Sequence, residues 1–213
     1  MFNVARFTFN PFQENTYVVS HGKEAILIDP GCSNGGEEHE LERYFEENAL
    51  DPVRLVLTHA HVDHVMGLGW AERRYGLHAE LHRESVPVLN AAPRSAELFG
   101  VHCDPAPAPK GYLKEGDIVA LGNARMVVLD VPGHAPGHIV LHCREQGFVI
   151  AGDVLFMNSI GRTDLPGGDL QLLLTGIREK LLTMPDDTRV YCGHGPDTTI
   201  GNERRSNPFL RGS

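Results

Sequence analysis

Val53-Arg54-Leu55-Val56-Leu57-Thr58-His59-Ala60-His61-Val62-Asp63-His64 decides how the chain reads. The run 53–57 is β-branched and leucine-rich, follows Pro52, and predicts a buried strand. At its C-terminal end four ligand-type residues, His59, His61, Asp63 and His64, fall within six positions. Neutral imidazole and carboxylate are the donors that a borderline divalent ion such as zinc selects. Adjacent Asp63 and His64 cannot share the direction of His59 and His61 along one extended strand. A turn into a following helix is therefore expected to spread the four over two metals.

Three further strand predictions end in glycine beside one such residue. The run 127–131 leads into Pro132-Gly133-His134, 148–151 into Gly152-Asp153, and Arg189–Cys192 into Gly193-His194-Gly195. Glycine lets the backbone turn sharply, so the next side chain can point back over the sheet edge. The seven groups divide into His59, His61 and His134 for one ion, and Asp63, His64 and His194 for a second, with Asp153 as the bridge. Open coordination positions of this kind belong to catalytic rather than structural metal.

Outward from these motifs, residues 2–9, 16–20 and 25–28 predict strands, the last stopped by Asp29-Pro30-Gly31. Leu41, Tyr44 and Phe45 give 37–48 the spacing of an amphipathic helix. A helix over 65–75 closes at Gly76, 77–81 is a strand, and 85–98 is helical with interruptions at Pro87 and Pro93. Pro105, Pro107 and Pro109 make a stiff seam. Beyond it come strands at Ile118–Leu121, 125–131, Ile139–Cys143, 148–151 and Arg189–Cys192, and a helix over 169–182 that Asp169 caps. Strands followed by helix in each half predict two sheets face to face with helices outside. The expected organisation is one domain, 1–213, with halves at about 1–104 and 110–213.

Composition narrows the function classes. A formal charge of −9 argues against nucleic acid as a partner, since phosphate binding wants a basic surface. No apolar run approaches membrane-spanning length, and the N-terminus shows no basic segment followed by an apolar stretch, so no secretory signal is expected. Cys32, Cys103, Cys143 and Cys192 form no Cys-x-x-Cys pair. Reduced thiols and a cytoplasmic location are the expectation.

With these motifs in place, the sequence resembles the metallo-β-lactamase superfamily, and within it the short glyoxalase II-like hydrolases. The stretches that carry the likeness are Thr58–His64, 133–138 (Gly-His-Ala-Pro-Gly-His), 151–153 (Ala-Gly-Asp), 161–164 (Gly-Arg-Thr-Asp), 193–196 (Gly-His-Gly-Pro) and the tail 199–209. The resemblance implies an α+β fold, a four-layer αββα sandwich of two similar halves, holding a dinuclear metal site on the seven residues above. It implies a metal-dependent thioester hydrolase acting on S-2-hydroxyacylglutathione, such as S-lactoylglutathione, with a hydroxide between two divalent ions as nucleophile. Zinc is the expected metal, with iron or manganese compatible. Asp63 is the expected catalytic residue, ligating one metal and aiming the attacking oxygen. The alternatives are a mononuclear iron persulfide dioxygenase and a metallo-hydrolase of another ester or thioester. Classical glyoxalase II carries a further helical domain that holds glutathione, whereas this chain ends four residues after Phe209.

Several residues carry secondary expectations. His138 is read as orienting a ligand or as a buried core histidine, and Asp29 as a structural acid or a ligand's partner. Arg162 and Asp164 are read as substrate contacts or a pair internal to their loop. Arg204 and Arg205 are read as exposed helix-face residues or carboxylate binders. Tyr17, Phe12 and Met157 are read as core or pocket lining, and Trp70 as packing on the sheet. The expected partner is a small-molecule thioester, with no nucleic acid and no membrane; the sequence leaves oligomeric state open.

Overall fold

Alternation at the N-terminus produces β1 (Asn3–Phe9), which pairs antiparallel with β2 (Glu14–His21), Phe9 lying opposite Glu14. The computed structural model describes residues 1–211. Its contacts divide the chain into two units, Met1–Leu113 with Ala120–Ala124, and Lys114–Val119 with Arg125 onward.

In the first unit β2 is followed by β3 (Glu24–Ile28), α1 (Gly35–Glu47), β4 (Asp51–Val56), α2 (Leu68–Tyr75), β5 (Ala79–His82), α3 (Val86–Phe99) and β6 (Gly111–Leu113). One six-stranded sheet takes the order β1-β2-β3-β4-β5-β6. The pairs β3–β4, β4–β5 and β5–β6 are parallel, whereas β2–β3 is antiparallel. The C-terminal ends of β3 and β4 and the β1–β2 turn therefore share one edge of the sheet. Leu27, Leu55, Leu57 and Leu81 form the core with Leu41 and Phe45 of α1 and Leu89 of α3. Asn34 starts α1 by accepting from the backbone N–H groups of Gly36 and Glu37. Trp70 packs into this core as anticipated, donating from Nε1 to Glu42 at 3.2 Å.

Two helix predictions need correction here. The helix after the ligand motif starts later: Val62–His64 forms a 3-10 turn, and α2 begins at Leu68. Gly67 is the reason. Its N–H donates to Pro30 O at 2.8 Å, and a Cβ there would collide with Cys32 Sγ. Conversely, α3 runs unbroken through both prolines. Pro87 lies in the first turn, where a missing N–H costs nothing. Pro93 is interior, but buried Leu89, Ala92 and Ala96 hold the helix to the core on either side of it.

The second sheet takes the order β14-β13-β10-β9-β8-β7. Its strands are β7 (Ile118–Leu121), β8 (Ala124–Asp130), β9 (Ile139–Cys143), β10 (Phe148–Gly152), β13 (Arg189–Cys192) and β14 (Thr198–Thr199). Between β10 and β13 come a two-stranded hairpin, β11 (Leu155–Phe156) with β12 (Ser159–Ile160), and then α4 (Leu170–Gly176). The short α5 (Ile200–Ser206) follows β14. β9 is antiparallel to both β8 and β10, and β10 is parallel to β13. So β8, β10 and β13 run the same way and end at the same edge. Asp169 caps α4 as predicted, accepting from Leu172 N at 3.0 Å. The helix then loosens into a π-helical turn, Ile177–Leu181. Gly176 precedes that turn, packed so closely on Val131 that a Cβ would lie 2.8 Å from Cγ1. No helix among the described residues is long and apolar enough to cross a membrane.

Candidate metal centre

Each sheet gathers its ligand-type residues where same-direction strands end. In the first unit, β3 leads into Asp29 and the parallel β4 into Thr58–His64. Asp29 has a left-handed backbone, φ 49°, and a buried carboxylate. Its Oδ1 accepts from Thr58 N at 2.7 Å; its Oδ2 accepts from Thr58 Oγ1 at 2.6 Å and from His64 Nδ1 at 3.1 Å. An ionised carboxylate only accepts, so His64 carries its proton on Nδ1 and turns a lone pair outward on Nε2. Thr58 has spent its hydroxyl proton on Asp29, so its oxygen accepts from His59 Nδ1 at 3.1 Å. His59 therefore also presents Nε2. The ring centroids of His59 lie 4.1 Å from those of His64 and 4.9 Å from His61. Donor atoms of Asp29, His59 and His64 fall within 4.8 Å of one another. Asp63 Oδ2 lies 3.7 Å from His64 Nε2.

Two supports in this unit escaped the sequence reading. Glu14 is wholly buried at the start of β2, with Oε1 3.7 Å from His64 Nδ1 and Oε2 accepting from Thr16 Oγ1 at 2.9 Å. Burial pushes its carboxyl well above the usual carboxylate range, against the pull of His64. Asn10, at φ 52°, donates from Nδ2 to Gly31 O and to Asp63 O, each at 2.9 Å. The β1–β2 turn is thereby fastened to the ligand segment. A lone acid in a strand and an Asn-Pro turn carry no pattern that distinguishes them from ordinary residues. Only three-dimensional burial singles them out.

In the second unit, Asp153 lies between two histidines. Its Oδ2 is 3.6 Å from His134 Nε2 and 3.5 Å from His194 Nε2. His134 Nδ1 donates to Arg162 O at 2.8 Å, which again leaves the Nε2 lone pair for a ligand role. His138 is buried, and its Nε2 accepts from Asp153 N at 3.1 Å. It is thereby bonded to the main chain of Asp153. Gly161 leaves no room for a side chain, since a Cβ would strike Asp153 O and lie 2.9 Å from His134 Nδ1.

The donor set suits a divalent ion. His59, His64 and His134 are each held as the Nδ1–H tautomer by an oxygen acceptor, the arrangement that orients metal-bound imidazole. Buried carboxylates stand beside them at Asp29 and Asp153, where added positive charge offsets the cost of burying anions.

Arg162, Arg204 and Arg205 each pair with a nearby carboxylate. The Arg162 guanidinium makes two bonds to Asp164, at 2.7 and 2.8 Å, with both side chains exposed; they are paired within the loop, and the guanidinium holds the Asp164 carboxyl down at about 2. It is the main-chain oxygen of Arg162, rather than its side chain, that serves His134. Arg204 and Arg205 both pair with Asp186. Tyr17 is buried, Phe12 partly so, and Met157 is exposed. All four cysteines are buried and in the thiol form, outside any disulfide.

The family model for the metallo-beta-lactamase superfamily matches residues 9–194. The chain is 38% identical to hydroxyacylglutathione hydrolase GloC of Haemophilus influenzae, over 98% of each chain. Among solved structures, the BLEG-1 B3 metallo-beta-lactamase superposes with a TM-score of 0.90 at 35% identity, covering 99% of this chain and all of that one. TTHA1623 in a di-iron-bound form superposes with a TM-score of 0.87 at 39% identity, covering 97% of this chain and all of that one. The fold is accordingly the α+β sandwich predicted from the sequence, two mixed sheets flanked by helices.

Proposed function

The chain belongs to the metallo-beta-lactamase superfamily, a family of metallo-hydrolases that bind divalent metals, and within it we propose a cytoplasmic thioester hydrolase acting on S-2-hydroxyacylglutathione. One observation carries this reading: the likeness to a hydroxyacylglutathione hydrolase spans 98% of both chains, so that relative matches this chain in extent. The proposed ligands are His59, His61 and His134 for one ion, Asp63, His64 and His194 for another, and Asp153 for both. Zinc is the proposed metal; the di-iron form of TTHA1623 makes iron the alternative.

Bound divalent ions supply water acidified to near neutral pH and a Lewis acid for the carbonyl oxygen. The protein's share is orientation. Asp29, Thr58 and Arg162 O fix the tautomers of three histidines. Asp63, its main-chain oxygen clasped by Asn10, accepts a hydrogen bond from the attacking water and aims its lone pair. Water oxygen bonds to the acyl carbon, the C–S bond breaks, and the thiol leaves with a proton. A thiol leaving group has a pKa of about 8.5, so it needs no strong general acid.

The test is a panel run on one purified sample with metal analysis. It contains S-lactoylglutathione, other acyl thioesters, a chromogenic cephalosporin, and glutathione persulfide in an oxygen electrode. Thioester hydrolysis without oxygen uptake is the expected result. Oxygen consumption with the persulfide, or turnover confined to the β-lactam, overturns the reading.

A further inference from the structure

We propose that Arg83, stacked on the ring of Tyr112, anchors a carboxylate of the substrate's thiol carrier, so that the enzyme selects thioesters of an anionic thiol over those of a neutral one. The proposal rests on the thioester reading in one respect, that the substrate has a thiol carrier.

β5 lies beside β4 and parallel to it, so its C-terminal end shares the edge from which the ligand segment leaves. Leu57 N donates to Glu80 O at 3.0 Å, which carries the pairing one residue past β4. The register Val56↔Glu80, continued along both chains, sets Arg83, just past β5, level with His59, just past β4. On the other side of β5, Leu81 stands opposite Tyr112 of β6. Side chains alternate along a strand, so Arg83 returns to the face that Leu81 and Tyr112 share. Its guanidinium carbon lies 4.1 Å from the centroid of the Tyr112 ring. All of these residues belong to the first unit.

Three arginines stand over tyrosine rings among the described residues, and Arg83 is the one that lacks an acid. Arg74, over Tyr75, gives Nε to Glu42 at 3.2 Å, and Arg189, over Tyr191, gives Nη2 to Asp197 at 2.8 Å. Arg83 makes no ion pair with any described carboxylate, Glu84 beside it in sequence included. Arg94 on α3 likewise has no acid, but no ring lies under it. The stack holds the guanidinium on one face of the Tyr112 ring and leaves its N–H edge for a planar acceptor. A carboxylate takes that edge as a bidentate, charge-assisted pair; an uncharged carrier offers nothing to match it. The carboxylates of glutathione are set back several bonds from its sulfur. An anchor one strand away from the proposed ligands suits them, where one beside the metals would not. In a chain of formal charge −9, an unpaired cation at this edge also offsets the repulsion that an anionic carrier would meet.

The experiment compares S-lactoylglutathione with S-lactoyl-N-acetylcysteamine, which share the acyl group and differ in the charge of the carrier. It uses the metal-loaded wild type, Arg83→Gln, Arg83→Lys, Tyr112→Leu, and Arg94→Gln as an exposed arginine with no ring beneath it. The expected result is a KM for the glutathione thioester raised about tenfold in Arg83→Gln and about threefold in Tyr112→Leu. Arg83→Lys, which keeps the charge and loses the fork, falls between wild type and Arg83→Gln. Both kcat values, the KM of the neutral-carrier thioester and every constant of Arg94→Gln stay near wild type. Equal effects on the two substrates, no effect, or turnover of the neutral-carrier thioester alone overturns the anchor. If wild type hydrolyses neither substrate, the thioester reading fails, and calorimetry with inert thioethers decides the anchor separately; it also replaces the second arm if only the glutathione thioester turns over. S-methylglutathione must then bind the wild type at least about fivefold tighter than its diethyl ester, with the preference lost in Arg83→Gln. Equal binding rejects it.

Discussion

Asp29 Oδ2 accepts the Nδ1 proton of His64 at 3.1 Å, and the same oxygen takes the hydroxyl proton of Thr58 at 2.6 Å. One buried carboxylate oxygen thus sets the tautomer of His64 directly and that of His59 through Thr58. Asp29→Asn puts an amide where two donors point. We expect metal affinity to fall about 10- to 100-fold, measured by competition with a chromogenic chelator. An affinity within twofold of wild type would mean that Asp29 orients neither ring.

Asp63→Asn keeps a ligating oxygen but weakens the acceptor for the attacking water. kcat is expected to fall at least about 100-fold on any thioester that wild type turns over. Unchanged turnover would remove Asp63 from the proposed mechanism.

Gly161→Ala drives a methyl into Asp153 O and against His134. The expected outcome is a destabilisation of about 3 kcal/mol with weakened metal binding, read from denaturant midpoints and chelator competition. Gly35→Ala, with nothing within 4 Å of its added Cβ, is the neutral control.

Glu203 is fully buried and accepts four hydrogen bonds, from Thr198 Oγ1, Asn202 Nδ2, Asn158 N and Asn207 Nδ2, at 2.6 to 2.8 Å. Glu203→Ala strands these donors, for a loss of about 3 kcal/mol in urea unfolding. Because Asn158 lies in the turn between β11 and β12, amide exchange in that hairpin should rise with it.

Burial pushes the thiols of Cys192 up to about 12 and Cys103 up to about 11, and raises those of Cys32 and Cys143. A folded pKa above the unfolded value means that the native state binds the extra proton. The stability is present in full below the unfolded pKa, about 8.5, and is lost as pH rises toward 11 and 12. Alkaline unfolding curves should therefore steepen above that point in wild type and flatten in Cys192→Ala. Alkylation at pH 8 should be at least about tenfold slower for the native protein than in denaturant.

The strands and the ligand-type residues at their ends were legible because both follow local rules: short β-branched runs, then glycine, then one His or Asp. The same logic placed a helix over 85–98 but expected breaks that packing on both sides of Pro93 overrides, and it started α2 too early, because the Gly67 N–H is given to Pro30 O. Glu14 and Asn10 were invisible because neither stands in a pattern; their importance arises from partners at His64 and Asp63, far away in sequence. Arg162 illustrates a third limit. Sequence displays side chains, but the atom of Arg162 that meets His134 is a carbonyl oxygen.

In each sheet the proposed ligands follow the C-terminal ends of strands, and the opposite rim of that sheet carries none of them. In the first sheet that rim is the turn after β2 and the segments before β4 and β5; in the second it is residues 144–147 and 182–188. A support surface, dye or fused partner attached at Lys23 or Glu145 sits on the rim opposite the ligand-bearing edge of its own sheet. Immobilised enzyme joined there should retain the turnover of the free protein.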